Sequence, residues 1–159
     1  MTTSSVIHDT FTIERTYAAE PARVFAAFSS AEAKEAWSDT GDLGPAQGEA
    51  AGTEFDFRPG GRERFGFVYQ GNELRYDAQY YDITPDQRIV YAYEMYANDA
   101  RTSVSVATIE FAKNGDGTAL AWTEQGVYLD GIEEPGLRRE GTQIMVDNLT
   151  GYLNGRAPR

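Results

Sequence analysis

From Thr53 to Glu124 the apolar residues return at every second position, and turn signals cut the run into short segments. Phe55 and Phe57 share a face before Pro59-Gly60-Gly61. Phe65, Phe67 and Tyr69 share the next, before Gly71-Asn72. Leu74, Tyr76, Ala78 and Tyr80 follow, then Ile89, Tyr91, Tyr93 and Met95 after Pro85-Asp86. A period of two places alternate side chains on one face of a strand. Tyr81 and Ile83 fall on the parity opposite to Tyr80, which predicts a bulge there. Asn98-Asp99 and Asn114-Gly115-Asp116-Gly117 mark two more turns, since Asn and Gly tolerate positive φ. Between them Val104, Val106 and Thr108 alternate against Ala107, Ile109 and Phe111, and Leu120 and Trp122 continue one face of a last strand. Strands joined by turns this short form an antiparallel meander.

The flanks obey a different period. Phe11, Ile13 and Tyr17 give an opening strand. Glu20-Pro21 starts a helix carrying Val24, Phe25 and Phe28, and Ser30 is placed to cap a second one carrying Ala33, Ala36 and Trp37. Asp39 to Gly52 reads as loop. After Pro135-Gly136 the stripe Ile144, Met145, Asn148, Leu149, Tyr152 and Leu153 predicts a long helix, stopped by Gly155 and Pro158. The fold class is therefore α+β, ordered strand, two helices, six strands, helix. At 159 residues this is one domain, expected over residues 10–155 between tails at 1–9 and 156–159.

The formal charge of −11 disfavours nucleic acid and anionic membrane surfaces as partners. The basic groups Arg58, Arg62 and Arg64, and Arg138 with Arg139, are interspersed with Glu63 and Glu140 and read as mixed-sign surface. No cysteine is present and His8 is the only histidine, so thiolate sites and histidine-based metal or general-base chemistry lose their usual ligands. Asp39-Thr40-Gly41 occurs once, whereas aspartic-protease chemistry needs two carboxylates sharing a proton. Asn114-Gly115-Asp116-Gly117 lacks the remaining ligands of a calcium loop. No metal or cofactor is expected. The N-terminus shows no signal-like apolar stretch and no run reaches membrane-spanning length, so the cytoplasm is the expected compartment. Monomer and homodimer remain equally open.

Ten tyrosines, many on the alternating faces, need explaining. A buried tyrosine hydroxyl requires a partner. One terminal helix of about 18 residues spans roughly 27 Å and closes one side of a curved sheet without filling a deep concavity. The rings on that face either interlock as a core or line a site for a small apolar or aromatic molecule. The candidate lining residues are Phe55, Phe57, Phe65, Phe67, Tyr69, Tyr76, Tyr80, Tyr91, Tyr93, Trp122, Glu124, Met145, Asn148 and Tyr152. Glu124 shares the parity of Leu120 and Trp122. Because unpaired burial is costly, the favoured reading is a strand end already turning to solvent; the alternative is an inward carboxyl with a raised pKa.

Several stretches carry a family resemblance. Phe11 to Tyr17 leads into Ala19-Glu20-Pro21-Ala22-Arg23-Val24-Phe25, and Ala33 to Trp37 forms a second helix ending in Trp. Phe55-Asp56-Phe57-Arg58-Pro59-Gly60-Gly61-Arg62 makes a hairpin, Tyr81-Asp82-Ile83-Thr84-Pro85-Asp86-Gln87-Arg88-Ile89-Val90-Tyr91 follows, and Gly141 to Leu153 closes the chain. Together they resemble the helix-grip fold of the START and birch-pollen-allergen (SRPBCC) superfamily. The bacterial homologues of the heat-shock-protein-90 ATPase activator's C-terminal domain are the nearer likeness. The resemblance implies a curved sheet of about seven strands wrapped around the C-terminal helix, with a hydrophobic cavity between them. Where many members open the last helix with Gly-Trp, this chain has Gly141-Thr142. The resemblance leaves three functions: a non-catalytic carrier or sensor of a small hydrophobic ligand, a cyclase- or hydrolase-like enzyme using Glu124 and a Tyr hydroxyl, and a chaperone-docking protein.

Overall fold

The structure, a computed structural model, describes residues 5–38 and 54–155. The expected loop 39–52, the tail 156–159 and the side chain of Tyr69 lie outside the described residues. The elements are β1 (Val6–Tyr17), α1 (Pro21–Ser29), α2 (Ala31–Ser38), β2 (Glu54–Phe55), β3 (Arg62–Tyr69), β4 (Asn72–Thr84), β5 (Arg88–Ala97), β6 (Ala100–Asn114), β7 (Gly117–Leu129) and α3 (Pro135–Leu153). They follow the order read from the alternation and its flanks.

All seven strands form one curved antiparallel sheet ordered β1-β7-β6-β5-β4-β3-β2. Strands β2 to β7 are a meander of sequence neighbours, and β1 returns to pair with β7. The expected bulge falls at Tyr81, where the β4–β5 register shifts between Tyr80 and Asp82. Tyr81 is thereby turned outward, and Ile83 packs against the core despite its odd number.

One boundary differs from the sequence reading. The ladder with β7 runs from Tyr17↔Thr118 down to Val6↔Leu129, so residues 6–9 belong to the sheet and not to a tail. They alternate weakly because β1 is an edge strand, and backbone pairing rather than burial holds its first turnings in place.

Two glycines shape the end of the sheet where β6, β7 and β1 meet. Gly115 takes φ 59° in the two-residue β6–β7 turn. A Cβ on Gly117 would lie 2.1 Å from the Tyr17 carbonyl oxygen, so only glycine lets β1 finish against this hairpin.

On the concave side, α1 lays Val24, Phe25 and Phe28 on the sheet. Pro21 opens this helix, where its missing N–H removes a donor that would have no partner. Ser30 caps α2, its Oγ accepting from the Ala33 N–H at 3.1 Å. Trp37 donates its indole N–H to the Ala27 carbonyl at 2.9 Å and packs edge-on against Phe28, tying the two helices together. In α3 the inward residues are Thr142, Val146 and Leu149, with Met145, Tyr152 and Leu153 at the margin. Ile144, expected on this stripe, is instead 46% exposed. The 3.6-residue period carries the buried line from Thr142 to Val146 to Leu149, and Ile144 falls off it.

Candidate functional site

The register of the sheet assembles the interior row by row. Across the concave face run Glu124, Ala107, Tyr91 and Tyr80, contributed by β7, β6, β5 and β4. The next row is Gly126, Ser105, Tyr93, Ala78 and Glu63, and the one beyond is Tyr128, Ser103, Met95, Tyr76 and Phe65. Small residues thus stand between large ones, and long side chains cross over them. The rings form a continuous path. Phe57 meets Tyr80 edge-on at 5.1 Å, Tyr80 meets Tyr91 at 5.9 Å and Tyr91 meets Tyr93 at 6.0 Å. Tyr93 lies 4.9 Å from Tyr76, and Tyr76 stacks on Phe65 at 4.8 Å. Phe55 stacks on Phe57, and Phe67 joins Phe65, at the β2–β3 edge.

The candidates therefore separate into groups. Phe55, Phe57, Phe65, Phe67, Tyr76, Tyr80, Tyr91 and Tyr93 share one aromatic surface. Trp122 has its ring contacts with Phe28 and Trp37, beneath α1 and α2. Its indole N–H is buried without an acceptor among the described residues. Met145 and Tyr152 border the core from α3, with the Arg23 guanidinium 5.1 Å from the Tyr152 ring, and Asn148 is half-buried on the same helix.

Each end of the tyrosine row holds a charged cluster. At one end Glu124 is only 2% exposed, which excludes a strand end turning to solvent. The Tyr93 hydroxyl donates to its Oε1. Arg138, from the first turn of α3, donates through Nη1 to Glu124 at 3.3 Å and to the Tyr93 hydroxyl at 2.7 Å. Through Nη2 it donates to Ser103 Oγ at 2.8 Å and to Glu133. The guanidinium also lies 5.2 Å from the Tyr93 ring and 5.3 Å from that of Tyr128. Expected as mixed-sign surface, Arg138 is instead buried, because α3 lays its first turn on the sheet just where β6 offers serines. At the other end Glu63 accepts from the Tyr80 hydroxyl at 2.6 Å and from Lys34 Nζ of α2 at 2.5 Å. Lys34 Nζ stands 5.8 Å from the Tyr91 ring.

Burial, the dominant effect, pushes the hydroxyls of Tyr76, Tyr80, Tyr91 and Tyr93 well above their ordinary range, and the nearby carboxylates add to the shift. All four are neutral donors and acceptors. Burial likewise raises Glu124, against the opposing pull of Arg138 and Tyr93. For Arg138 burial works downward, but Tyr93, Glu133 and Glu124 outweigh it and hold the guanidinium charged. Among the described residues no group of three or more His, Asp or Glu is placed to hold a metal ion. Among these residues no helix is long and apolar enough to cross a membrane either.

Sequence reasoning missed Glu63, Lys34, Ser103, Ser105, Glu133 and Arg138. Three kinds of signal pointed to most of them. Glu63 has the parity of Phe65 and Phe67. Ser103 and Ser105 have that of Ala107, Ile109 and Phe111, while Val104 and Val106 on the other parity are 38% and 42% exposed. Two inward serines beside two outward valines invert the usual pattern and mark a polar partner opposite. Arg138 precedes Thr142, Met145 and Val146 at the i+4, i+7 and i+8 spacing of one helix face.

Comparison with known proteins agrees with this architecture. The structure of protein Mll3558 from Rhizobium loti superposes with a TM-score of 0.81 at 44% identity, over 92% of this chain and 98% of that one. An uncharacterized protein from Rhizobium leguminosarum gives 0.84 at 41% identity, over 98% and 100%. Protein CV1439 from Chromobacterium violaceum, 23% identical, shares the fold with a TM-score of 0.75 over 91% and 96% of the two chains. None of the curated proteins compared with it matches. Residues 18–154 match the family described as activator of Hsp90 ATPase homolog 1-like protein, and the chain belongs to that family.

Proposed function

We propose that the protein binds a small apolar or aromatic molecule between the concave face of the sheet and α3, and acts as a carrier or sensor without catalysing a reaction. The observation that carries this reading is the row Tyr76, Tyr80, Tyr91 and Tyr93. Its rings offer flat apolar surface, and its neutral hydroxyls offer hydrogen bonds at fixed places. Mostly apolar walls with a few oriented polar groups are what small-molecule recognition needs. The Trp122 indole N–H, which has no acceptor among the described residues, supports it, because such a buried donor gains when a ligand oxygen reaches it.

Titration with Nile red, an uncharged apolar dye, tests the proposal. Saturable uptake with an emission shift to shorter wavelength is expected. Loss of most of that uptake in Tyr91→Ala, with the fold retained by circular dichroism, locates it on the row. Absence of saturable uptake by the native protein removes the reading.

A second reading has one observation in its favour. A carboxyl whose pKa burial raises, hydrogen-bonded to a tyrosine, is a pair suited to proton transfer in a cyclase- or hydrolase-like reaction. Once a substrate is known, turnover that survives in Glu124→Gln rejects it.

A further inference from the structure

We infer that this interior selects by charge: it accepts an uncharged aromatic molecule bearing a hydroxyl or carbonyl group and refuses carboxylates, fatty acids included. The inference rests on the binding reading above and names its ligand class.

The argument is the commitment of the buried cations. Among the described residues, two reach the tyrosine row. Arg138 is engaged by Glu124 and Glu133, and also donates to Tyr93 and Ser103. Lys34 is engaged by Glu63, which at the same time accepts from Tyr80. Among the described residues, three carboxylates therefore face two cations, and each cation already has a carboxylate against it. Both clusters act on the same place, since the fields of Glu63 and Glu124 both reach the Tyr91 hydroxyl. A carboxylate entering here surrenders its hydration, meets a negative field and finds both cations already paired. A neutral ring meets none of these penalties. It stacks on the tyrosine faces, and its oxygen exchanges hydrogen bonds with hydroxyls that burial keeps protonated. The row is also tied at both ends, Tyr80 donating to Glu63 and Tyr93 to Glu124, so these groups are held in place.

Calorimetric titration of the native protein with naphthol and with naphthoate at neutral pH tests this, since the two share a ring and differ in charge. Naphthol is expected to bind about tenfold or more tightly than naphthoate. Glu63→Gln frees the Lys34 ammonium, and the preference is expected to shrink by about tenfold or to reverse. Lys34→Met is the control in the opposite direction and keeps the preference for naphthol. Uptake of Nile red without a preference for naphthol over naphthoate overturns the charge selection alone. Failure of Nile red and both naphthalenes to bind overturns the binding reading with it. The native comparison stands even if a variant does not fold.

Discussion

Tyr93 on β5 donates its hydroxyl to Glu124 on β7, spanning the whole of β6 to do so. The span is open because β6 and β7 present Ser105, Ala107 and Gly126 there, and a Cβ on Gly126 would crowd Ser105 Oγ and the Tyr128 ring at 3.0 Å. Arg138 then closes the triangle from above, so that one buried carboxylate binds three strands to α3. A helix whose exposed side still carries Leu137 and Ile144 is thereby anchored by polar contacts at its first turn and by Val146 and Leu149 further along.

Removing the cation should show the strength of that anchor. Arg138→Met leaves Glu124 buried without its partner and is expected to destabilise the fold by about 3–5 kcal/mol. The double variant Arg138→Met with Glu124→Leu should recover a large part of the loss. Urea unfolding of both variants checks this, and a double variant no more stable than the single one contradicts it.

Glu124 also sets a pH dependence. Its folded pKa lies above the ordinary 4.5 because of burial, so between 4.5 and that raised value the folded state holds a proton that the unfolded chain has released. The folded state binds more protons in this window, and stability falls as pH rises through it. Glu124→Gln should flatten this part of the curve. Unfolding free energies measured over a pH series test the difference in slope, and equal slopes reject it.

The tyrosines act at the alkaline end. Tyr17 and Tyr128 are pushed up to about 12, and Tyr76, Tyr80, Tyr91 and Tyr93 are pushed well above their ordinary value, burial being the main cause for each. Above pH 10 the unfolded chain loses phenolic protons that the folded one keeps. Stability therefore falls with rising pH, by up to about 1.4 kcal/mol per unit for each tyrosine. Ultraviolet titration should show these groups ionising only in a cooperative step that coincides with loss of circular dichroism. Gradual ionisation of all ten tyrosines in the folded protein runs against it.

The two tryptophans should respond differently to the same substitution. Trp37→Phe deletes a hydrogen bond to the Ala27 carbonyl and leaves that acceptor buried, a loss of about 1–3 kcal/mol beyond the change in packing. Trp122→Phe deletes an N–H that has no acceptor among the described residues, so only the packing change remains. Chemical denaturation should rank Trp37→Phe as the less stable variant.

Gly117→Ala places a methyl group against the Tyr17 carbonyl, which is backbone and cannot swing aside. A loss of roughly 2–3 kcal/mol is expected, with thermal unfolding as the measurement. Gly136→Ala, where a Cβ meets nothing within 4 Å, serves as the control.

The order of elements was legible in the chain because period and turn chemistry are local. Alternation from Phe55 to Trp122 dictates strands, Asn114 to Gly117 dictates a hairpin, and the misplaced parity of Tyr81 and Ile83 announces a bulge before any contact is known. Parity could also point Glu124 inward. It could not say whether a partner would meet it there, and that question belongs to three dimensions. Arg138 is an ordinary charged residue at the head of a helix until the fold lays that helix over Ser103 and Ser105, and Glu63 is one charge among arginines until α2 brings Lys34 to it. Burying such groups is unfavourable alone and tolerable only together. Their placement therefore depends on groups distant in the chain arriving at one point, which only tertiary packing decides.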